Sequence, residues 1–64
     1  MIMKEEELRQ LLKTHGWNLF TRTKRSREYF YAQKWRMGEV YISPKLNVES
    51  VRQEEVLKKI GVAS

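Results

Sequence analysis

Sixty-four residues without a cysteine make one domain near the lower size limit for a single hydrophobic core, and they exclude a disulfide framework, a thiolate metal site and a cysteine nucleophile. Thirteen lysines and arginines against eight acids give a net charge of +5 and a pI near 9.8, a balance that favours polyanionic partners such as nucleic acid. One histidine is too few for a histidine metal cage, the start of the chain lacks the pattern of a signal peptide, and no apolar run approaches a membrane span.

Residues 4–15 read as an amphipathic helix, because Leu8, Leu11, Leu12 and His15 recur at i, i+3, i+4 and i+7. Glu5, Glu6 and Glu7 stand at the positive end of its dipole and Lys13 near the negative end, while Gly16 is placed to stop it. Met1 to Met3 offer no N-cap, so fraying is expected there.

From Trp17 the period falls to two, with Trp17, Leu19, Thr21 and Thr23 alternating against Asn18, Phe20, Arg22 and Lys24, which predicts a strand. Lys24 to Arg27 reads as a four-residue turn, Glu28 to Trp35 as a second strand rich in aromatics, and Glu39 to Ser43 as a third, ended by Pro44. Met37 resists the positive φ of a two-residue turn. A three-residue loop, Arg36-Met37-Gly38 with Gly38 left-handed, is therefore expected.

The first turn pairs Leu19 with Ala32 and Thr21 with Phe30. The second pairs Trp35 with Glu39, Lys34 with Val40, Gln33 with Tyr41 and Ala32 with Ile42. Both place Leu19, Phe30, Ala32, Val40 and Ile42 inward. Phe20, Arg22, Lys24, Tyr29, Tyr31, Gln33, Trp35 and Tyr41 then face outward. After a loop at Lys45 to Glu49, Ser50-Val51-Arg52-Gln53 has the form of a capping box, and Val56, Leu57 and Ile60 give a second helix ending at Gly61. The predicted class is α+β, ordered α-β-β-β-α, with a three-stranded antiparallel sheet and both helices packed on one face.

The functional signal lies in Thr21 to Arg36, where Arg22, Lys24, Arg25, Arg27, Lys34 and Arg36 meet one acid, Glu28. The stretch carries the whole formal excess of +5, since the other 48 residues hold seven basic and seven acidic side chains. Interleaved Tyr29, Tyr31 and Trp35, with Tyr41 beyond, supply rings for stacking on bases while the cations neutralise phosphates. The same face could instead form a homodimer. His15 and Glu28 are candidate general bases, but each lacks a second catalytic partner, and a helix-end histidine and a salt-bridged glutamate are the simpler readings. Gly38 lacks the companion glycine of a phosphate loop. No cofactor and no enzymatic activity are expected, and the expected setting is the cytoplasm.

Glu7-Leu8 through Leu11-Leu12-Lys13 into His15-Gly16-Trp17, Ser26 before an aromatic strand, Val40-Tyr41-Ile42-Ser43-Pro44, and Val56-Leu57-Lys58-Lys59-Ile60-Gly61-Val62 together resemble the HicA-type toxins. The resemblance implies a double-stranded-RNA-binding-domain-like α-β-β-β-α fold, action on mRNA, and a partner antitoxin. In that family a catalytic histidine follows a Gly-Ser pair at the second strand. Here Arg25-Ser26-Arg27 stands at that place with no histidine nearby, which implies a relative that binds RNA without that cleavage chemistry or one that has moved the chemistry elsewhere. A weaker likeness is to phage-integrase arm-binding domains, which lay a three-stranded sheet into the DNA major groove.

Overall fold

The computed structural model describes residues 4–62, so the expected fraying of Met1 to Met3 lies outside the described residues. Helix α1, Glu5–Thr14, forms where the apolar spacing and the acidic first turn predict it. The Lys4 backbone N–H donates to the Glu7 carboxylate at 3.3 Å, satisfying one orphan donor of the first turn. Leu8 and Leu12 are fully buried.

At the other end of α1, Gly16 has φ +83° and donates to the Lys13 carbonyl at 2.9 Å, while Trp17 donates to the Leu12 carbonyl at 2.8 Å. This is a Schellman motif with its apolar contact supplied by Trp17 against Leu12. The Lys34 ammonium adds a third partner, donating to the His15 carbonyl at 3.0 Å. A Cβ at residue 16 would lie 3.2 Å from Lys34 Cε, a contact the lysine relieves by a small shift, so it is the positive φ that calls for glycine here.

Strands β1 (Asn18–Lys24), β2 (Arg27–Lys34) and β3 (Gly38–Pro44) form an antiparallel sheet in the order β1-β2-β3. The first hairpin keeps the expected register, Leu19 opposite Ala32 and Thr21 opposite Phe30. Its turn is tighter than expected. Lys24 pairs with Arg27, leaving a two-residue loop with both Arg25 (φ 49°) and Ser26 (φ 68°) left-handed, the type I′ geometry that follows the strand twist.

The second hairpin corrects the expected register by two residues. Lys34 pairs with Gly38, Gln33 with Glu39, Ala32 with Val40 and Tyr31 with Tyr41, in place of Trp35 with Glu39 and Ala32 with Ile42. The loop does have three residues, but they are Trp35, Arg36 and Met37, closed by a Met37 N–H to Lys34 carbonyl bond of 2.9 Å. Arg36 takes positive φ (66°) inside it, and Gly38 takes φ +90° as the first residue of β3. Because side chains alternate with period two, a shift of two leaves the faces unchanged.

A bulge then makes Phe30 oppose Ser43, so that Ile42 and Ser43 are both buried. The expected inward set of Leu19, Phe30, Ala32, Val40 and Ile42 belongs to the core or packs against it.

After β3 the chain forms a 3₁₀ turn, Lys45–Ser50, where a loop was expected. The expected capping box is absent. Ser50 Oγ donates to the Asn47 carbonyl at 2.7 Å, and α2 starts later, at Gln53, with Arg52 as an N-cap that makes no side-chain cap. Helix α2, Gln53–Lys59, buries Val56 and Ile60. It ends in a second Schellman motif, with Gly61 on Lys58 and Val62 on Leu57. The fold is α+β, with both helices against the same face of the sheet and their apolar side chains in one cluster with Phe30 and Ala32.

Candidate nucleic-acid interface

The sheet face opposite the helices is built by alternation: Phe20, Arg22 and Lys24 from β1, Tyr29 and Tyr31 from β2, and Tyr41 from β3. The rings meet one another across the strands. Phe20 stacks on Tyr31 at 5.8 Å between centroids, Tyr31 meets Tyr41 edge-on at 5.6 Å, and Tyr29 tilts against Tyr41 at 6.2 Å, all within the favourable range for aromatic pairs.

The cations of the face engage these rings. Arg22 holds its guanidinium 4.9 Å from the Tyr31 ring and 5.4 Å from that of Phe20, and reaches over β2 to place Nη2 2.7 Å from the Glu39 carboxylate. Lys24 donates to the Tyr31 hydroxyl at 3.3 Å. From α2, Lys59 donates to the Ile42 carbonyl at 2.7 Å and lies 5.3 Å from the Tyr41 ring. Burial, followed by the neighbouring phenols of Tyr29 and Tyr31, raises the Tyr41 pKa above its ordinary value.

The side chains in the middle of the face are therefore engaged with one another while remaining partly exposed. Arg22 lies over the Tyr31 ring and is paired with Glu39, although its side chain stays 42% exposed. Lys34 lies on the helix side, on the His15 carbonyl, away from the outer rings. Glu39 is the residue sequence reasoning missed; the two-residue register error set it opposite Trp35 instead of Gln33.

What remains open lies at the two ends of β2. At the β1–β2 end, Lys24, Arg25 and Arg27 are exposed, and neither Arg25 nor Arg27 has a salt-bridge partner among the described residues. Beside them, Arg27, Tyr29, Pro44, Lys45 and Leu46 border an open groove of about 890 Å³, across which Lys45 Nζ approaches Glu28 at 3.7 Å. Leu46 is 94% exposed, a feature no sequence pattern flagged. At the β2–β3 end, Trp35 is 84% exposed and Met37 63%, with Arg36 exposed between them.

On the helix side a depression of about 430 Å³ is bordered by Glu6, Glu7 and Gln10. Glu54, in the first turn of α2, has its pKa lowered chiefly by a hydrogen bond from its own backbone. Of the two candidate bases, Glu28 is engaged with Lys45 and His15 is half-buried at the end of α1. No group of three or more metal-binding side chains occurs among the described residues, and no helix there is long and apolar enough to cross a membrane. No family model, curated protein or solved structure matches the chain.

Proposed function

We propose that the chain is a small cytoplasmic nucleic-acid-binding module that holds its ligand by the β1–β2 end of the sheet. The observation that supports this reading is the cluster of Lys24, Arg25 and Arg27, exposed together on a rigid two-residue turn, with no acid paired to either arginine among the described residues. Unpaired cations at a fixed spacing neutralise phosphates without first breaking an internal ion pair, and each counterion they displace adds a salt-dependent gain. RNA is favoured over DNA by the resemblance to the HicA-type toxins, and the absence of a histidine beside Ser26 makes the module a binder, not a nuclease. Tyr29, Tyr41 and Trp35 are the rings left for base contact, while Arg22 and Tyr31 stiffen the platform.

The test is a titration of a labelled oligonucleotide at several salt concentrations. Neutralising three phosphates gives a slope of log K against log salt of about −2 for a single strand. Arg25→Glu with Arg27→Glu abolishes binding if the reading holds. Equal affinity for the double variant, or no binding by the unmodified protein at low salt, defeats it.

The second reading is a homodimer through Tyr29, Tyr31, Trp35 and Tyr41, favoured by the exposure of Trp35 (84%) and Tyr41 (42%). Sedimentation at micromolar concentration separates the two, since only the dimer reading predicts a doubled mass without nucleic acid.

A further inference from the structure

Three non-glycine residues among those described have positive φ, and all three lie in the sheet's turns: Arg25 (49°) and Ser26 (68°) in the first, Arg36 (66°) in the second. These conformations crowd a Cβ, and the type I′ turn favours Asn-Gly at its two central positions. An exposed hairpin tip is where a stabilising Gly or Asn costs the fold nothing. This chain places an arginine in each turn instead.

Neither arginine is used by the fold. Arg25 and Arg36 are exposed, and neither side chain makes a hydrogen bond or salt bridge to another described residue. Backbone strain that the surrounding packing does not explain points to a use outside the fold.

The two turns bracket β2, whose eight residues span about 26 Å at ~3.3 Å per residue. Between them, the sheet centre is occupied by Arg22, with its guanidinium on Tyr31 and Glu39. A ligand along this face thus meets cations without acid partners at the ends, and between them the Arg22–Glu39 pair with Lys59 beside Tyr41. Trp35, 84% exposed beside Arg36, offers at the far end the ring face that an unpaired base stacks on.

From these facts we infer that Arg25 and Arg36 are the two end anchors of one bipartite site for a single-stranded nucleic acid laid along β2, and that the left-handed turn conformations are retained because they carry these anchors. This rests on the nucleic-acid reading above and specifies its ligand class and its two points of attachment. It also assigns Arg36 and Trp35, at the end remote from the main cationic cluster, to the same ligand.

The experiment measures stability and binding on the same variants. Arg36→Gly, Arg36→Lys, and Arg25→Asn combined with Ser26→Gly are melted thermally and titrated with a labelled twelve-nucleotide single strand, its trinucleotide counterpart and a twelve-base-pair duplex. The glycine and asparagine variants are expected to melt a few degrees higher, to bind the twelve-nucleotide strand about tenfold more weakly, and to show a salt slope shallower by about 0.7 for each phosphate no longer neutralised. Arg36→Lys stays within about twofold of the unmodified affinity. Even at roughly twice the ~3.4 Å duplex rise per phosphate, a trinucleotide is shorter than β2, so it reaches one anchor at a time and loses less affinity to Arg36→Gly than the twelve-nucleotide strand does.

Raised stability with unchanged affinity and salt slope overturns the anchor assignment, and unraised stability overturns the assignment of strain to these turns. Duplex bound more tightly than the single strand overturns the ligand class. In each case binding by the unmodified protein leaves the nucleic-acid reading intact. Absence of any binding by the unmodified protein defeats that reading first.

Discussion

Tyr41 illustrates how a single side chain links the outer face to stability. Its pKa is raised by burial and by the phenols of Tyr29 and Tyr31, so the folded state holds its proton longer than the unfolded chain does. Below about pH 10 both states are protonated and this tyrosine adds no pH dependence. As pH rises through that value the unfolded chain releases its proton first, and stability falls until the folded pKa is passed. Urea midpoints measured at pH 7, 10 and 11 should therefore fall less steeply for Tyr41→Phe than for the unmodified protein. Equal slopes for the two would show that Tyr41 titrates alike in both states.

Phe30 is the corresponding residue of the inner face. It is 1% exposed, between both helices and the sheet, and truncation to alanine costs about 3–5 kcal/mol. A domain of this length is stable by only about 3–10 kcal/mol at ~0.05–0.15 kcal/mol per residue. Phe30→Ala should thus be largely unfolded at 37 °C by circular dichroism, while Phe30→Leu retains a cooperative melt. A melt of Phe30→Ala within a few degrees of the unmodified protein would contradict the placement of this ring at the centre of the core.

Among the elements, the helices and the faces of the strands were legible in the sequence because each rests on a local period. Leu8 and Leu12 mark the buried stripe of α1, and Phe30 and Ala32 alternate with Tyr29 and Tyr31. The helix stops at Gly16 and Gly61 were legible for a similar reason, since a Schellman motif needs only a glycine and the apolar residue after it. The turn before β3 was not. A loop centred on Arg36 and one centred on Met37 bury the same side chains, so the hydrophobic pattern cannot choose between them. Lys34 keeps its place in β2 and its face in either register, so its ammonium on the His15 carbonyl does not distinguish them either.

That contact is a cap on α1 as well as a tie between α1 and β2. Lys34→Met keeps the aliphatic packing beside Gly16 and removes the charge-assisted hydrogen bond, which is worth about 1.5 kcal/mol. The melting temperature should drop by about 6–12 °C on the scale of ~4–8 °C per kcal/mol for a domain of this size. An unchanged melting temperature would show that water serves the His15 carbonyl equally well.

Across the whole molecule, charge is segregated by the fold. Glu6 and Glu7 of α1 border the depression on the helix side, and Arg25, Arg27 and Arg36 are exposed at or beside the two turns of the sheet. Composition showed that the excess charge falls between Thr21 and Arg36 but not how the fold divides it. Arg22 goes to Glu39 across β2, Lys34 turns to the helices, Lys24 leans on the Tyr31 hydroxyl, and Lys24, Arg25, Arg27 and Arg36 are left exposed without an acid partner among the described residues. Residue type and position along a strand give a face; which cations are neutralised depends on pairs distant in sequence, such as Arg22 with Glu39 and Glu28 with Lys45.

The most direct measurement is a titration of the isotopically labelled protein with a twelve-nucleotide single-stranded RNA, following backbone amide resonances. Perturbations are predicted at Lys24 to Tyr29 and at Trp35 to Met37, with Glu6, Glu7 and Gln10 unmoved and the shifts reversed by added salt. Shifts confined to the helix side, or an unchanged spectrum at low ionic strength and excess RNA, would contradict the account.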